Sequence, residues 1–338
     1  MALMLRILFI LLFTLYQLEA APLRLQDKFM HAQEGAYIVT AHDQAYSLLL
    51  LRSLTSDVLL LEEISIPAQQ VDLKQINWKK WLAEKAPGHT SWTLYEIDLN
   101  QGTLMECFSL SKNGWIYLDE QEQFFVRLLT LPFSPLAPTQ RKKIGPAPQG
   151  EDDHRKPWNP SLIRDGKKDP KPTFDVVHTQ WPEDRTLLSL CDVELYFDAK
   201  TSFPFPYWIE VKSPHYAFKV RTIESGHQLT SPFTMPMPHR SPEFLSLHKS
   251  KTTWEIQLKA PHYYKDFQLF ALDLTDHSLM LPIDHLMKRD AEHVTLLINT
   301  ATLKGSLHDH HRYRWVILSQ HLASTFLESE ETFIWEKP

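Results

Sequence analysis

The amino-acid sequence predicts a mainly β protein built as two segments, a curved antiparallel sheet with short helices followed by a β-sandwich. Three observations carry that class. Nine glycines against twenty-three prolines, with 12% aromatic residues, favour short strands and rigid turns over long helices or glycine-rich phosphate loops. Runs of aliphatic and β-branched residues recur at hairpin spacing from residue 36 onward. Beyond residue 241, seven such runs fall within roughly a hundred residues, the strand density of a sandwich. A length of 338 residues fits about two domains.

Residues 1–20 read as a secretory signal. Arg6 precedes an apolar run over 7–13, extended by Leu15 and Tyr16, and the stretch closes on Ala20-Ala21-Pro22, with cleavage expected after Ala20. The run falls short of the ~20 apolar residues of a spanning helix, and no cysteine stands at the cleavage point. The expectation is an exported protein, periplasmic or secreted, with no stable membrane span and no nucleotide cofactor. A net charge of −6 gives no overall basic bias toward nucleic acid. In an oxidising compartment Cys107 and Cys191 either pair or stay as two buried thiols, and the spacing leaves both open.

Strands are predicted at 36–42, 45–54 and 58–66, with His42-Asp43 and Ser56-Asp57 as the turns of a meander. Asn77 caps a short helix in which Trp78, Trp81 and Leu82 share a face, and Pro87-Gly88 stops it. Strands resume at 92–99, 103–110 and 115–118, turning at Asn100-Gln101-Gly102 and Asn113-Gly114. Asp119 and Glu122 have capping-box spacing ahead of an amphipathic helix running to Leu131. Its apolar face must be covered, either by simple packing on the sheet or as a lid over an apolar cavity.

From 134 to 172 the chain carries eight prolines, nine Lys or Arg and five Asp or Glu, with almost no apolar periodicity, and is predicted to be a long mobile loop. Its basic residues suit a solvated loop better than an anion site, because Glu151, Asp152 and Asp153 intervene. Strands follow at 174–178, 187–197, 207–212 and 218–223. The aromatic strand ending Tyr196-Phe197, then Asp198-Ala199-Lys200-Thr201, then Pro204 opening the next strand, resembles the late hairpin of the periplasmic lipoprotein-carrier family. That resemblance implies a curved half-barrel of antiparallel strands closed by helices, a plan that the 36–66 meander and the helix after Asp119 also fit. No residue of a carrier site is matched.

Met235-Pro236-Met237-Pro238 is expected to be a stiff connector, with the boundary at 238–243. After it, strands are predicted at 244–247, 254–258, 267–272, 279–283, 294–298, 313–318 and 332–335. Leu307, a turn and Tyr313 opening an alternating strand resemble the tyrosine corner of fibronectin type III domains, with His308-Asp309-His310-His311 in place of the family's usual Pro-Gly-Thr. The resemblance implies a structural Tyr313, its hydroxyl bonded to backbone a few residues upstream, and histidines on an exposed turn.

No zinc-protease, nucleophile-elbow, Cys-x-x-Cys or phosphate-loop motif occurs in the sequence, so no enzyme class and no cofactor is predicted. The histidine run is not assigned a metal, since adjacent side chains of extended chain diverge. The aromatics remain. Trp92, Tyr95, Trp115, Tyr117, Phe124, Phe125 and Trp208 are the candidate lining of a half-barrel cavity; as ordinary core they would need no further role. The functional expectation is a non-enzymatic exported protein that holds an apolar ligand, a lipid or a lipidated protein, with the sandwich meeting a protein partner. The competing readings are a structural or adhesive β protein with a filled core and an exported hydrolase with an unrecognised site.

Overall fold

The computed structural model describes residues 22–42, 44–118, 124–146, 153–215, 217–276, 279–320 and 324–336. The chain is mainly β, with antiparallel pairing throughout its named sheets, and divides into two compact units, Met1–Met237 and Pro238–Pro338. No helix among the described residues is long and apolar enough to cross a membrane. The leader and the Asp119/Glu122 capping box lie outside the described residues.

The first unit opens with helix α1 (Leu25–Met30), followed by β1 (Tyr37–His42), β2 (Ala45–Thr55) and β3 (Val58–Pro67). Helix α2 (Trp78–Ala83) then leads into β4 (Ser91–Asp98), β5 (Thr103–Ser109) and β6 (Gly114–Trp115). Asn77 Oδ1 accepts the Lys80 N–H at 3.0 Å, the cap its sequence position predicts. Helix α3 (Phe124–Thr130) precedes β7 (Ser134–Pro135), the small hairpin β8 (Ile163–Arg164) and β9 (Lys167–Lys168), and then β10 (Phe174–Gln180), β11 (Asp192–Asp198), β12 (Trp208–Lys212) and β13 (Ala217–Gly226).

Eleven of these strands form one open sheet in the order β6-β5-β4-β3-β2-β1-β13-β12-β11-β10-β7. Two antiparallel runs thus join at a central seam, where Tyr37 pairs with Gly226. A Cβ at Gly226 would fall 2.7 Å from the Tyr37 ring, so the seam's close approach requires glycine. The sheet is curved. Leu104 on β5 and Ile209 on β12 line one cavity, yet six strand spacings would hold them roughly 29 Å apart on a flat sheet.

Both faces are covered. On the concave face α1 and α3 pack together, Phe29 meeting Phe125 edge-on at 5.7 Å, while Leu23 and Phe133 exchange backbone hydrogen bonds. On the opposite face of β1–β4 lies α2, whose Trp78 and Trp81 join Tyr37, Leu48, Ile64 and Trp92 in a second core. The chain before the boundary also crosses this face. Arg52 donates to the carbonyls of Phe233 and Met235, Ser231 donates to Glu62, and Met237 packs on Leu94 and Phe108. The connector is therefore held down on the sheet up to Met237.

The segment 134–172 also departs from expectation. Its described part is tied to the outer face of β10–β12 and not left loose, because a few apolar anchors and many polar bonds replace periodicity. Trp158 meets Trp208 at 4.9 Å and Tyr196 at 5.6 Å, and Leu162 is buried. The N–H groups of Ile144 and Trp158 donate to the carbonyls of Lys156 and Lys142. Arg141 donates to the carbonyls of Leu136 and Phe174, Lys143 and Arg155 pair with Asp153, and Lys142 lies over the Trp158 ring.

The second unit contains β14 (Glu243–Lys249), β15 (Thr253–Lys259), β16 (Phe267–Asp273), β17 (Met280–Pro282), β18 (Leu286–Asp290), β19 (His293–Asn299), helix α4 (Thr300–Ser306), β20 (Arg312–Gln320) and β21 (Ser324–Ile334). They form two four-stranded sheets, β14-β15-β19-β18 and β17-β16-β20-β21, the division of an immunoglobulin-type sandwich. Trp254 of one sheet packs on Trp315 and Phe333 of the other at 6.1 and 5.1 Å. Strand β18 and α4 carry little sequence signal: Met287, Lys288, Arg289 and Asp290 lack an apolar alternation, and α4 is a seven-residue element capped by Asn299.

Tyr313 is fully buried, and its hydroxyl accepts the His308 N–H at 2.8 Å. The histidine turn is less exposed than expected. His311 is two-thirds covered, and its Nδ1 lies 2.7 Å from the buried Asp273 carboxylate. The turn is also stitched to the end of β21 by His310 N–H to Trp335 and Trp335 N–H to His311.

Candidate functional site

The site is built from the alternation of β1–β5. Ile38, Thr40 and His42 recur at period two on β1, and their cross-strand neighbours Leu49 and Ser47 face the same way. Glu63 stands opposite Leu49, and Tyr95 opposite Leu61. Together with Ile209, Phe218 and Val220 from the other run of strands, these residues form the floor of a cavity of about 440 Å³. Helices α1 and α3 roof it with Leu25, Phe124, Phe125, Val126 and Leu128. The volume lies within the range of small-molecule sites.

The lining is graded along the strands. Leu61 and Ile97 lie toward an apolar end, Glu63 shares the level of Ile38 and Leu49 midway, and Thr40, His42 and Ser47 lie toward the β1–β2 hairpin. Thr40 donates to the Ser47 carbonyl at 3.3 Å, and Ser47 and Ser65 hydroxyls lie 2.8 Å apart. The Tyr95 hydroxyl donates to Glu63 Oε2 at 2.9 Å. Burial, with the Glu63 charge beside it, pushes the Tyr95 hydroxyl well above its ordinary range, so it stays a neutral donor.

Of the aromatics singled out from sequence, Tyr95, Phe124 and Phe125 line the cavity. The other four do not. Trp92 points to the opposite face, where it donates to the buried Glu62 and packs on Phe233 at 4.7 Å. Trp208 is on the outer face under Trp158, since its neighbour Ile209 takes the cavity side. Trp115 and Tyr117 lie at the β6 edge, 42% and 69% exposed. The lining not singled out from sequence includes β1 and β2 residues that carry no aromatic ring, such as Thr40 and Ser47, and also Ile97, Phe205, Ile209 and Phe218. A sheet covered on both faces gives apolar residues to each, so alternation alone does not say which face is hollow.

Away from the cavity, Asp198-x-x-Thr201 is a built turn: Asp198 accepts from the Lys200 N–H at 3.1 Å, from the Thr201 hydroxyl at 2.8 Å and from Arg164. Ser225 and His227 do not form a catalytic pair. Ser225 is fully buried and bonded to Tyr207 and to the Ile163 carbonyl, and the ring of His227 packs edge-on against Phe203. Cys107 and Cys191 are separate buried thiols. Among the described residues no group of three His, Cys, Asp or Glu converges as metal ligands.

Fold and site together define a mainly β chain whose first unit is an open, curved sheet roofed by helices over an apolar cavity. Residues 47–169 match the model of a family described as CT021 protein. The chain is also similar to a solved structure, the hypothetical protein CT021 from Chlamydia trachomatis, at 23% identity and a TM-score of 0.47 over 64% of this chain and 98% of that one. No curated protein matches the sequence.

Proposed function

We propose that this chain is a non-enzymatic exported binding protein whose first unit holds an apolar ligand, an acyl chain or the lipid of a lipidated protein, beneath α1 and α3. The cavity carries this reading: about 440 Å³ within an otherwise filled core, walled chiefly by Leu, Ile, Val and Phe side chains. A purely structural sheet protein gains from filling such a void, because unfilled apolar space forfeits packing contacts. The roof is made of two short helices that meet through Phe29 and Phe125, with Leu23 and Phe133 exchanging backbone bonds beside them. The sandwich unit is the module assigned to a protein partner.

Displacement of a fluorescent acyl probe tests the reading. Saturable binding by the protein, lost in Leu49→Trp, which fills the cavity from its floor, is the expected result. Absence of saturable binding to any acyl probe or lipopeptide, with the protein folded, rejects it in favour of a structural role.

A further inference from the structure

The cavity's ionisable groups point to the polar end of its ligand. Among the described residues Glu63 is the one acidic side chain in the lining, which includes no described lysine or arginine. A single Tyr95 hydroxyl satisfies one of its two oxygens, and no cationic side chain is paired with it among the described residues. A carboxylate has about four lone-pair sites, so a half-enclosed Glu63 retains accepting capacity for whatever fills the middle of the cavity. Toward the hairpin from Glu63 come the hydroxyls of Thr40 and Ser47 and the imidazole of His42, whose Nδ1 lies 3.3 Å from the Lys219 carbonyl oxygen. Leu61, Ile97 and Leu104 lie on the other side of Glu63, so the cavity is apolar on one side of the carboxylate and polar on the other.

We propose that the cavity selects a single-chain amphiphile whose polar end is neutral or cationic and donates hydrogen bonds, such as an amine, an amide or a glyceride hydroxyl, and disfavours a chain ending in a carboxylate. This rests on the apolar-ligand reading above. A chain seated with its tail among Leu61, Ile97 and Leu104 brings its head to Glu63. There an ammonium or hydroxyl gains a charge-assisted bond, whereas a carboxylate meets like charge in a partly desolvated site with no guanidinium or ammonium to receive it.

Calorimetric titration of the protein at pH 8 with dodecylamine, 1-monolauroylglycerol and laurate, each below its micelle concentration, tests this. The amine and the glyceride are expected to bind roughly tenfold or more tightly than laurate, the factor of one charge-assisted hydrogen bond. Glu63→Gln, which keeps an acceptor for Tyr95, is expected to bring the three within about threefold of one another, while Tyr95→Phe, which keeps the carboxylate, preserves the ranking. Laurate binding as tightly as the amine, or a ranking unchanged in Glu63→Gln, overturns the head-group selectivity and leaves the apolar-ligand reading standing. Failure of all three to bind overturns both. A thermal melt of each variant separates lost selectivity from lost fold.

Discussion

Replacing Tyr313 by phenylalanine removes one oxygen from the sandwich and nothing else. That oxygen accepts the His308 N–H at 2.8 Å inside a corner closed by Leu307, Phe333 and the ring of His311. The ring's packing is retained, so the cost is the lost hydrogen bond plus the penalty of an N–H left facing a phenyl edge. That sum is about 1–2 kcal/mol, at the lower part of the range for a stranded buried donor because the His308 side chain itself is solvent-exposed. A unit of this size loses roughly 4–8 °C of melting temperature per kcal/mol. Native-state hydrogen exchange on the full chain, read from peptides of β16 and β20, reports the opening energy of this unit separately from the first. His310→Asn is the comparator, since that side chain is exposed. Unchanged protection in Tyr313→Phe, or a larger loss in His310→Asn, would refute the assignment of this hydroxyl as the pin of the turn.

Three further predictions follow from groups in the two cores. Burial by itself would raise the Asp273 carboxyl, but the Asp276 N–H, the His311 imidazole and the Thr275 N–H outweigh it and hold it at about 2, against an ordinary 3.8. Its contribution is therefore complete above pH 3.8 and lost as pH falls toward 2; Asp273→Asn should lower stability at pH 7 and flatten that acid limb in near-ultraviolet circular dichroism, and an unaltered limb counts against it. Gly102 has φ +61°, and a Cβ there would fall 1.8 Å from Thr130 Cγ2, so Gly102→Ala should destabilise by about 1 kcal/mol or more in urea melts, with Thr130→Ala restoring the steric part only. Burial, reinforced by Glu63 and Glu106, pushes the Cys107 thiol up to about 12, so alkylation at pH 8 should require unfolding; rapid labelling of the native protein would contradict that.

Local signals were legible where one residue type dictates one geometry. Asn77 before Trp78 caps α2, the period-two runs of β1–β3 match the observed strands to within a residue or so, and Tyr313 bonds upstream backbone as its position implies. What failed was everything decided by which face a partner covers. Trp92 and Tyr95 are three positions apart on β4 and equally aromatic, yet one enters a filled core and the other a cavity, because α2 and the 229–237 segment cover one side and α1 and α3 the other. The 134–172 segment reads as loop from composition, and its attachment depends on partners such as Tyr196, Trp208 and Phe174 that are distant in sequence. His311 reads as surface until Asp273 is brought beneath it.

The seam between β1 and β13 sets an order of events. The first strand of the unit waits for the last, and its neighbours β2 to β6 are already available as a meander of local hairpins. Until Gly226 has emerged from the ribosome, or from a translocation pore, β1 presents a bare row of amides and carbonyls in what will become the middle of the sheet. A nascent or truncated chain ending short of β13 is thus an aggregation template, with its most hydrophobic strands beside an open edge.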